Sequence, residues 1–178
     1  MLARKYFFSL IICFLISFPL GTAEAAPPGR ESLLDSAGFE IGNGKRLIRN
    51  PSGLYGMKIS NSWRHEFFGQ LTEIVSGFSG RPKARLRISM ETDENIQTFA
   101  DLVLLFRRKM GWSIDKIAGL DAILKEEELS DGHCMLDAKV FRAPGEVAVI
   151  TLDGAPDCRG PSAYGTIKTS LETFHFIH

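Results

Sequence analysis

A few cysteines and histidines are the side chains of this chain best suited to chemistry. His133 directly precedes Cys134, which superficially suggests a base beside a thiol nucleophile. Adjacent side chains of a strand point to opposite faces, so this pair is not expected to form a hydrogen-bonded dyad. Pairing of Cys134 with His65 is geometrically open, but no pattern around them supports it. Because no Gly-x-Ser-x-Gly or His-Glu-x-x-His pattern is present, we expect no catalytic residues.

The sequence predicts no metal and no cofactor. His175 and His178 have a spacing that can share a helix face, yet zinc needs three or four converging ligands. The acidic stretches at 126–128 and 153–157 lack the alternating ligands of an EF-hand calcium loop. Residues 42–45 (GNGK) contain glycines and a lysine without the spacing of a phosphate-binding loop.

Cys134 and Cys158 are expected to form a disulfide. Residues 134–141 and 147–152 flank the turn sequence Ala-Pro-Gly-Glu, which predicts a β-hairpin. Pairing outward from that turn places residues near 155 opposite Cys134, with Cys158 only a few residues further. In an oxidising compartment such a pair is most simply a bridge, here worth about 3 kcal/mol. Two buried free thiols, or one reactive thiol paired with an external partner, are the alternatives.

The first 25 residues have the pattern of an export signal, which predicts an oxidising compartment for the rest of the chain. Basic Arg4 and Lys5 precede a mostly apolar run over 6–20, and the tripeptide Ala-Glu-Ala then predicts cleavage after Ala25. The run is shorter than the roughly 20 residues of a membrane span, so an uncleaved anchor is the weaker alternative. We therefore expect a periplasmic or secreted protein with no stable membrane insertion after cleavage. The sequence does not separate the two locations.

The charge balance narrows the range of partners. The chain has 21 basic and 21 acidic residues. Cleavage would remove two basic residues and one acidic residue, which leaves a net charge of about −1. A near-neutral chain without a long basic run argues against nucleic acid or anionic lipid as the main partner.

Three segments are expected along the chain. Residues 1–25 form the signal peptide. Residues 26–53 are rich in Gly, Pro and Asn and predict an extended arm, with at most a short helix over 31–36. Residues 54–178 have the length and patterning of a single globular domain.

The periodicity of apolar residues predicts the elements of that domain. Alternation and β-prone composition predict strands at 55–59, 71–78 and 84–90. The segment 117–124 predicts a turn that leads into another strand, which fades over 125–128. After Met90, apolar side chains recur at three- and four-residue spacing. They predict a long helix over 94–110, capped by Thr92 or Asp93 and ended by Gly111.

A second helix is expected to close the domain. Pro161 suits its first turn, and its buried stripe would contain Tyr164, Ile167, Leu171 and Phe174. The order of elements predicts an α+β fold, a largely antiparallel β-sheet with one long central helix and a C-terminal helix packed on it.

This pattern resembles the PsbP-like fold, which is shared by the photosystem PsbP proteins, the Ran-binding nuclear-import factor and bacterial envelope proteins such as DcrB. The strand, turn and tryptophan of 57–63 (MKISNSW), the helix over 94–110 and the segment 117–122 (IAGLDA) carry the resemblance. With the hairpin and the C-terminal helix it covers about residues 54–177. It implies an α/β/α sandwich and a non-enzymatic binding or assembly role.

We expect a secreted or periplasmic, non-enzymatic protein that binds an envelope protein or a small ligand. Its binding region would be an exposed sheet face or a cleft between sheet and helix. Arg85 and Arg87 share one strand face that suits an acidic partner. Trp63 and Trp112 complete this candidate surface, although such tryptophans are more often core residues.

Two other functions stay open at this point. One is a secreted hydrolase of unrecognised type that uses His65 or His133 with a nearby carboxylate. The other is an immunity or inhibitor protein against a periplasmic toxin. The sequence does not predict the oligomeric state.

Overall fold

The computed structural model describes residues 38–42, 44–76, 83–154 and 162–178. The signal peptide, the short helix expected at 31–36 and Cys158 lie outside these residues. Within them, no helix has the length and apolar character that a membrane span requires.

The smaller of two antiparallel sheets contains strands from both ends of the described chain. Its strands are Gly38–Gly42 (β1), Lys45–Arg49 (β2), Tyr55–Ser60 (β3) and His175–Phe176 (β11), in the order β1-β2-β3-β11.

The larger sheet has seven strands. They are Arg64–Phe68 (β4), Leu71–Ser76 (β5), Ala84–Thr92 (β6), Ser113–Ile117 (β7), Leu120–Glu128 (β8), Cys134–Ala143 (β9) and Glu146–Gly154 (β10). Their order is β4-β5-β6-β10-β9-β8-β7, and all pairs are antiparallel.

Two short helices accompany the sheets within the described residues. The first is Phe99–Phe106 (α1), between β6 and β7. The second is Ala163–Ser170 (α2), which continues into a 3₁₀ turn, Leu171–Thr173. All four residues of the predicted buried stripe, Tyr164, Ile167, Leu171 and Phe174, are buried.

The main core lies between the inner face of the larger sheet, the smaller sheet and α2. On β6, Ala84, Leu86 and Ile88 are buried while Arg87 is exposed, as the alternation predicts. Met57 and Ile59 of β3 pack into the same cluster from the smaller sheet, and Ile167 joins it from α2. The fold therefore has a second sheet where a three-layer sandwich would have helices only.

A buried hydrogen-bond network joins the two sheets. The Tyr55 hydroxyl of β3 donates to the Ile88 carbonyl of β6 at 2.9 Å and lies 2.7 Å from Thr72 Oγ1 of β5. Asn50 Nδ2 donates to the Tyr55 hydroxyl at 3.3 Å and to Thr72 Oγ1 at 3.4 Å. Burial raises the pKa of Tyr55, so the hydroxyl stays protonated and able to donate.

A second, smaller core lies on the outer face of the larger sheet, under α1. Ile96, Leu102, Ile123 and Val147 are buried there. Phe99, Val103, Phe106, Trp112 and Phe141 pack around them. The central strand β10 is therefore covered on both faces at this end, as the apolar sequence of 147–152 indicates.

The structure confirms an α+β fold with a largely antiparallel sheet, but the long helix predicted over 94–110 is wrong. β6 continues to Thr92, where it pairs with Glu146 of β10. Asp93 then accepts a hydrogen bond from the backbone N–H of Asn95 in a turn. The helix begins only after Thr98, whose side chain and that of Asp101 form a capping box. Strand pairing and this later cap together shorten the helix to eight residues.

The predicted extended arm over 26–53 is not an arm in its described part, because it contains two strands of the smaller sheet. Residues 45–49 form β2, which pairs along its whole length with β3, and Ile48 is 2% exposed in the main core. Its five residues (KRLIR) have no alternating pattern, and they form a strand because β3 pairs with them. A strand of this kind depends on tertiary pairing more than on its own sequence.

The predicted hairpin of β9 and β10 is confirmed. In its register Cys134 lies opposite Gly154, close to the position expected. Cys134 is fully buried. Its disulfide with Cys158 stays a prediction, because Cys158 lies outside the described residues.

The Tyr55 network gives a prediction for stability. Tyr55→Phe removes the hydroxyl and leaves the buried groups of Thr72, Asn50 and Ile88 short of a partner. We expect a loss of about 1–3 kcal/mol in the free energy of unfolding, measured by urea titration. Tyr164→Phe is the matched control, because that hydroxyl binds a half-exposed carboxylate that water can reach. An equal or smaller loss for Tyr55→Phe would contradict the assignment.

The disulfide gives a second prediction. The exported protein should contain no thiol that reacts under denaturing conditions, and Cys158→Ala should cost about 3 kcal/mol of unfolding free energy. Because both cysteines belong to one bond, adding Cys158→Ala to Cys134→Ala should cost almost nothing more. Full additivity of the two substitutions, or two reactive thiols, would rule the bond out.

Candidate ligand-binding cleft

A cleft opens where the larger sheet extends beyond the smaller one. Its volume is about 690 Å³. It lies between the inner face of the β7–β8 edge, helix α2 with its 3₁₀ turn, and the ends of β2 and β3. Its lining consists of Lys45, Ser60, Trp63, Asp115, Lys116, Ile117, Ala118, Leu124, Glu126, Leu136, Gly165, Thr166, Lys168, Thr169, Ser170, Leu171 and Glu172.

Apolar side chains of the sheet line the cleft on one side. Leu124 of β8 and Leu136 of β9 lie on the inner face, because residues two apart along a strand share a face. Ile117, at the end of β7, is 7% exposed beside them. This part of the cleft offers a ligand hydrophobic contact.

Helix α2 lines the opposite side. The Ser162 side chain accepts a hydrogen bond from the Gly165 N–H at 3.0 Å and caps the helix. Tyr164 anchors α2 against β10 at Gly154, where a Cβ atom would lie only 2.7 Å from Tyr164 Cβ. Glycine at this position therefore permits the close approach that fixes the helix beside the cleft.

A hydrogen-bonded group of three charged or polar side chains crosses from α2 to β8. Glu126 accepts hydrogen bonds from the Tyr164 hydroxyl, at 2.8 Å, and from Lys168 Nζ. Burial raises the pKa of Glu126, but the hydrogen bonds from Lys168 and Tyr164 outweigh it and the pKa lies below its ordinary value. Burial and then the neighbouring carboxylate raise the pKa of Tyr164. At neutral pH the carboxylate is therefore ionised and the phenol protonated.

One residue of the cleft has an unusual backbone. Ala118 has φ of +54° and is followed by Gly119 with φ of +82° in the two-residue turn between β7 and β8. Both central residues of such a hairpin turn need positive φ, and only glycine adopts it without steric cost. Ala118 thus carries local strain at the rim of the cleft.

Of the four residues proposed as a partner surface, Trp63 belongs to this cleft. It follows β3 and is 8% exposed, so it packs in the main core and presents only an edge to the cleft. Trp112 lies elsewhere, in the smaller core, with its ring centroid 4.5 Å from that of Phe106.

Arg85 and Arg87 lie together on the outer face of the larger sheet. Both Nε atoms contact Oε1 of Glu73 on β5, Arg85 at 3.3 Å and Arg87 at 3.0 Å. Their charges are thus partly balanced by a neighbouring strand. The structure does not join the arginines and the tryptophans into one surface.

His65 is buried between the two sheets. Arg46 Nη2 of β2 lies 3.0 Å from His65 Nδ1, and because arginine has no acceptor, Nδ1 must accept this hydrogen bond. Burial and then the charge of Arg46 lower the pKa of His65 to about 4. The neutral ring therefore carries its proton on Nε2, a buried atom with no partner among the described residues.

His133 has a different setting. Its Nδ1 lies 3.6 Å from Asp153 Oδ1, and both side chains are well exposed. Neither His65 nor His133 is among the described residues that line the cleft. In the described part of the chain, no three His, Cys, Asp or Glu side chains come together as metal ligands.

Sequence reasoning did not find most of this cleft. The acidic stretch at 126–128 is typical of a solvated strand edge, yet Glu126 lies on the inner face of the larger sheet, opposite Leu136. The sequence signal that could have placed Glu126 on this face is its two-residue spacing from Ala122 and Leu124, since alternate residues of a strand share a face. Thr166 and Thr169 of α2 belong to no motif, and only the position of the helix shows what they face.

Comparisons with known proteins bear on the fold alone. No family model and no curated protein matches the chain. A solved structure from Bacteroides thetaiotaomicron matches with a TM-score of 0.59 and 11% sequence identity. The match covers 77% of this chain and 50% of that chain, so the present chain spans about half the length of that protein. The resemblance to the PsbP-like fold stays a prediction.

The buried histidine gives a prediction for pH dependence. A pKa of about 4 in the folded state lies below the ordinary 6.5, so folding opposes proton binding. The contribution of the neutral His65 ring to the free energy of unfolding is fully present above pH 6.5. It is lost as the pH falls toward 4, and the total loss is up to about 3 kcal/mol. His65→Gln should remove this part of the pH dependence of unfolding free energy. His178→Gln, at an exposed histidine, should keep it, and an unchanged pH dependence in His65→Gln would contradict the assignment.

Proposed function

We propose that this chain is an exported, non-enzymatic binding protein that holds a small, partly apolar ligand in the cleft between the larger sheet and α2. The observation that carries the proposal is the cleft itself. Its volume of about 690 Å³ lies within the roughly 300–1,000 Å³ typical of small-molecule sites. Apolar residues of the sheet face polar groups of a helix across it, which suits a ligand with two kinds of surface.

The electrostatics of the cleft favour binding over catalysis. A general acid or base works best with a pKa near the working pH. The pKa of Tyr164 is raised and that of Glu126 is lowered, which moves both away from neutrality. Lys168 is occupied with the same carboxylate. These groups hold α2 on the sheet and leave the apolar side of the cleft for a ligand.

The charges around the cleft indicate the kind of ligand. Three lysines (Lys45, Lys116 and Lys168) and three carboxylates (Asp115, Glu126 and Glu172) belong to the lining. Their formal charges cancel, so the cleft has no strong field of one sign. We therefore expect a ligand that is neutral or zwitterionic, with its apolar part against Leu124 and Leu136.

Export is part of the same proposal. The predicted cleavage after Ala25 would place the protein in the periplasm or outside the cell. Intact-mass measurement of protein recovered from the producing cells tests this, because the processed chain should begin at Ala26.

The neutral fluorophore N-phenyl-1-naphthylamine tests the cleft directly. Its emission should rise on titration with the folded protein. Thr169→Trp places a large ring in the cleft from an exposed position of α2, and we expect an affinity loss of about tenfold or more. Glu94→Trp is the matched control, since it adds the same ring at an exposed site outside the cleft. Absence of binding by the wild type, or equal loss in both variants, would refute the proposal.

A further inference from the structure

Exposed apolar side chains concentrate at one corner of the molecule. Leu104 is 61% exposed, Leu105 47%, Met110 91% and Ile114 65%. Among the described residues, only two other large apolar side chains are exposed to a comparable fraction, Phe68 at 42% and Leu129 at 41%. We call residues 104–114, which run from the end of α1 to the start of β7, the α1–β7 corner.

Helix α1 is apolar on more than the face that it buries. Leu102 is fully buried against the sheet, and Phe99, Val103 and Phe106 pack around it. Leu104 lies two residues from Leu102, about 200° around the helix, and therefore points away from the sheet. A surface helix normally has polar residues at such positions. No described residue covers this side of α1.

Three consecutive cations accompany the exposed apolar residues. Arg107, Arg108 and Lys109 are all exposed. The sequence suggests that they complement the last turn of a long helix, but the observed helix ends at Phe106 and has no basic residue in its last turn. Within the described residues none of the three forms an ion pair, although Lys109 Nζ lies 4.1 Å from the Phe106 ring centroid.

We propose that the α1–β7 corner docks on an anionic membrane surface. Apolar side chains enter the boundary between headgroups and acyl chains, and flanking Arg and Lys side chains bind anionic headgroups. Leu104, Leu105 and Met110 supply the first contact, and the run 107–109 supplies the second. The protein would lie on the membrane and not cross it.

Charge complementarity selects a lipid surface over a second copy of the chain. A symmetric dimer through this corner would place the same three cations of each copy against each other, and like charges in an interface are unfavourable. An anionic lipid surface instead satisfies the cations and accepts the apolar groups.

The near-neutral net charge does not conflict with this docking. Charge acts over about 10 Å at ordinary salt, so a local cluster matters more than the total. The overall balance argues against anionic lipid as the main partner, and the docking proposed here is a secondary, positional interaction.

The corner also adjoins the cleft. β7 carries Ile114 of the corner, and its next residues, from Asp115 to Ile117, line the cleft. The corner and the cleft lie on opposite faces of the larger sheet, because Ile114 pairs with Ile123 of the outer face while Leu124 of the cleft is on the inner face. The proposal goes beyond ligand binding and does not require it, so the two can fail separately.

Vesicle co-sedimentation of the processed protein tests the docking. Binding is expected to phosphatidylcholine vesicles that contain phosphatidylglycerol, to be much weaker to phosphatidylcholine alone, and to fall as salt is raised. The triple variant R107Q/R108Q/K109Q should bind more weakly by about fivefold per cation removed. The triple variant R49Q/K58Q/R64Q makes the same change of net charge at exposed cations elsewhere and should bind like the wild type.

The apolar contribution has its own pair of variants. L104S/M110S should weaken binding to the same vesicles, while Leu129→Ser, at an exposed leucine outside the corner, should not. Circular dichroism and thermal unfolding establish that each variant is folded.

Three results would overturn the proposal. The wild type could bind anionic vesicles no better than neutral ones. The control charge variant could lose as much binding as the corner variant. Finally, L104S/M110S could abolish self-association in analytical ultracentrifugation without changing vesicle binding, which would identify a second copy as the occupant.

Discussion

The Tyr55 hydroxyl lies between two sheets, where water cannot replace its partners. Burial makes an unsatisfied polar group costly, so the smaller sheet is held where this hydroxyl reaches both Ile88 and Thr72. Apolar contacts are non-directional and define the relative position of the two sheets less sharply than these hydrogen bonds do. The hydrogen bonds fix β3 over β5 and β6, and in this position the smaller sheet does not cover the inner face of the β7–β8 edge. The cleft thus depends on an interaction outside its own lining.

Strands with strict alternation were predictable, because half-burial follows directly from a period of two. This holds for β3, β6 and β9, whereas the β9–β10 hairpin was predicted from the turn sequence between its strands. The length of α1 was not predictable from periodicity alone, since Ile96 has the spacing of a helical residue but lies in a turn before the capping box. β2 was not predicted because its sequence has no alternation of apolar and polar residues. Its burial results from pairing with β3.

The functional candidates show the same division. Trp63 was recognisable as a core or core-edge residue, and it lies at both the core and the cleft. The charges of Arg85 and Arg87 suggested a free basic face, but Glu73, distant in sequence, lies between them across the strand pair. The cleft and the α1–β7 corner arise from uncovered surface. Whether such a surface stays exposed depends on which distant segments of the chain pack against it, and a local sequence pattern does not show this.

The pairing of β11 with β3 joins residues 175–176 to residues 55–56. Residues 175–176 must therefore be synthesised before the smaller sheet can be completed. Contacts so far apart in sequence also slow folding, because a long loop must close first. The smaller sheet is therefore expected to be completed late in folding, after the hairpins of the larger sheet, whose strands are close in sequence.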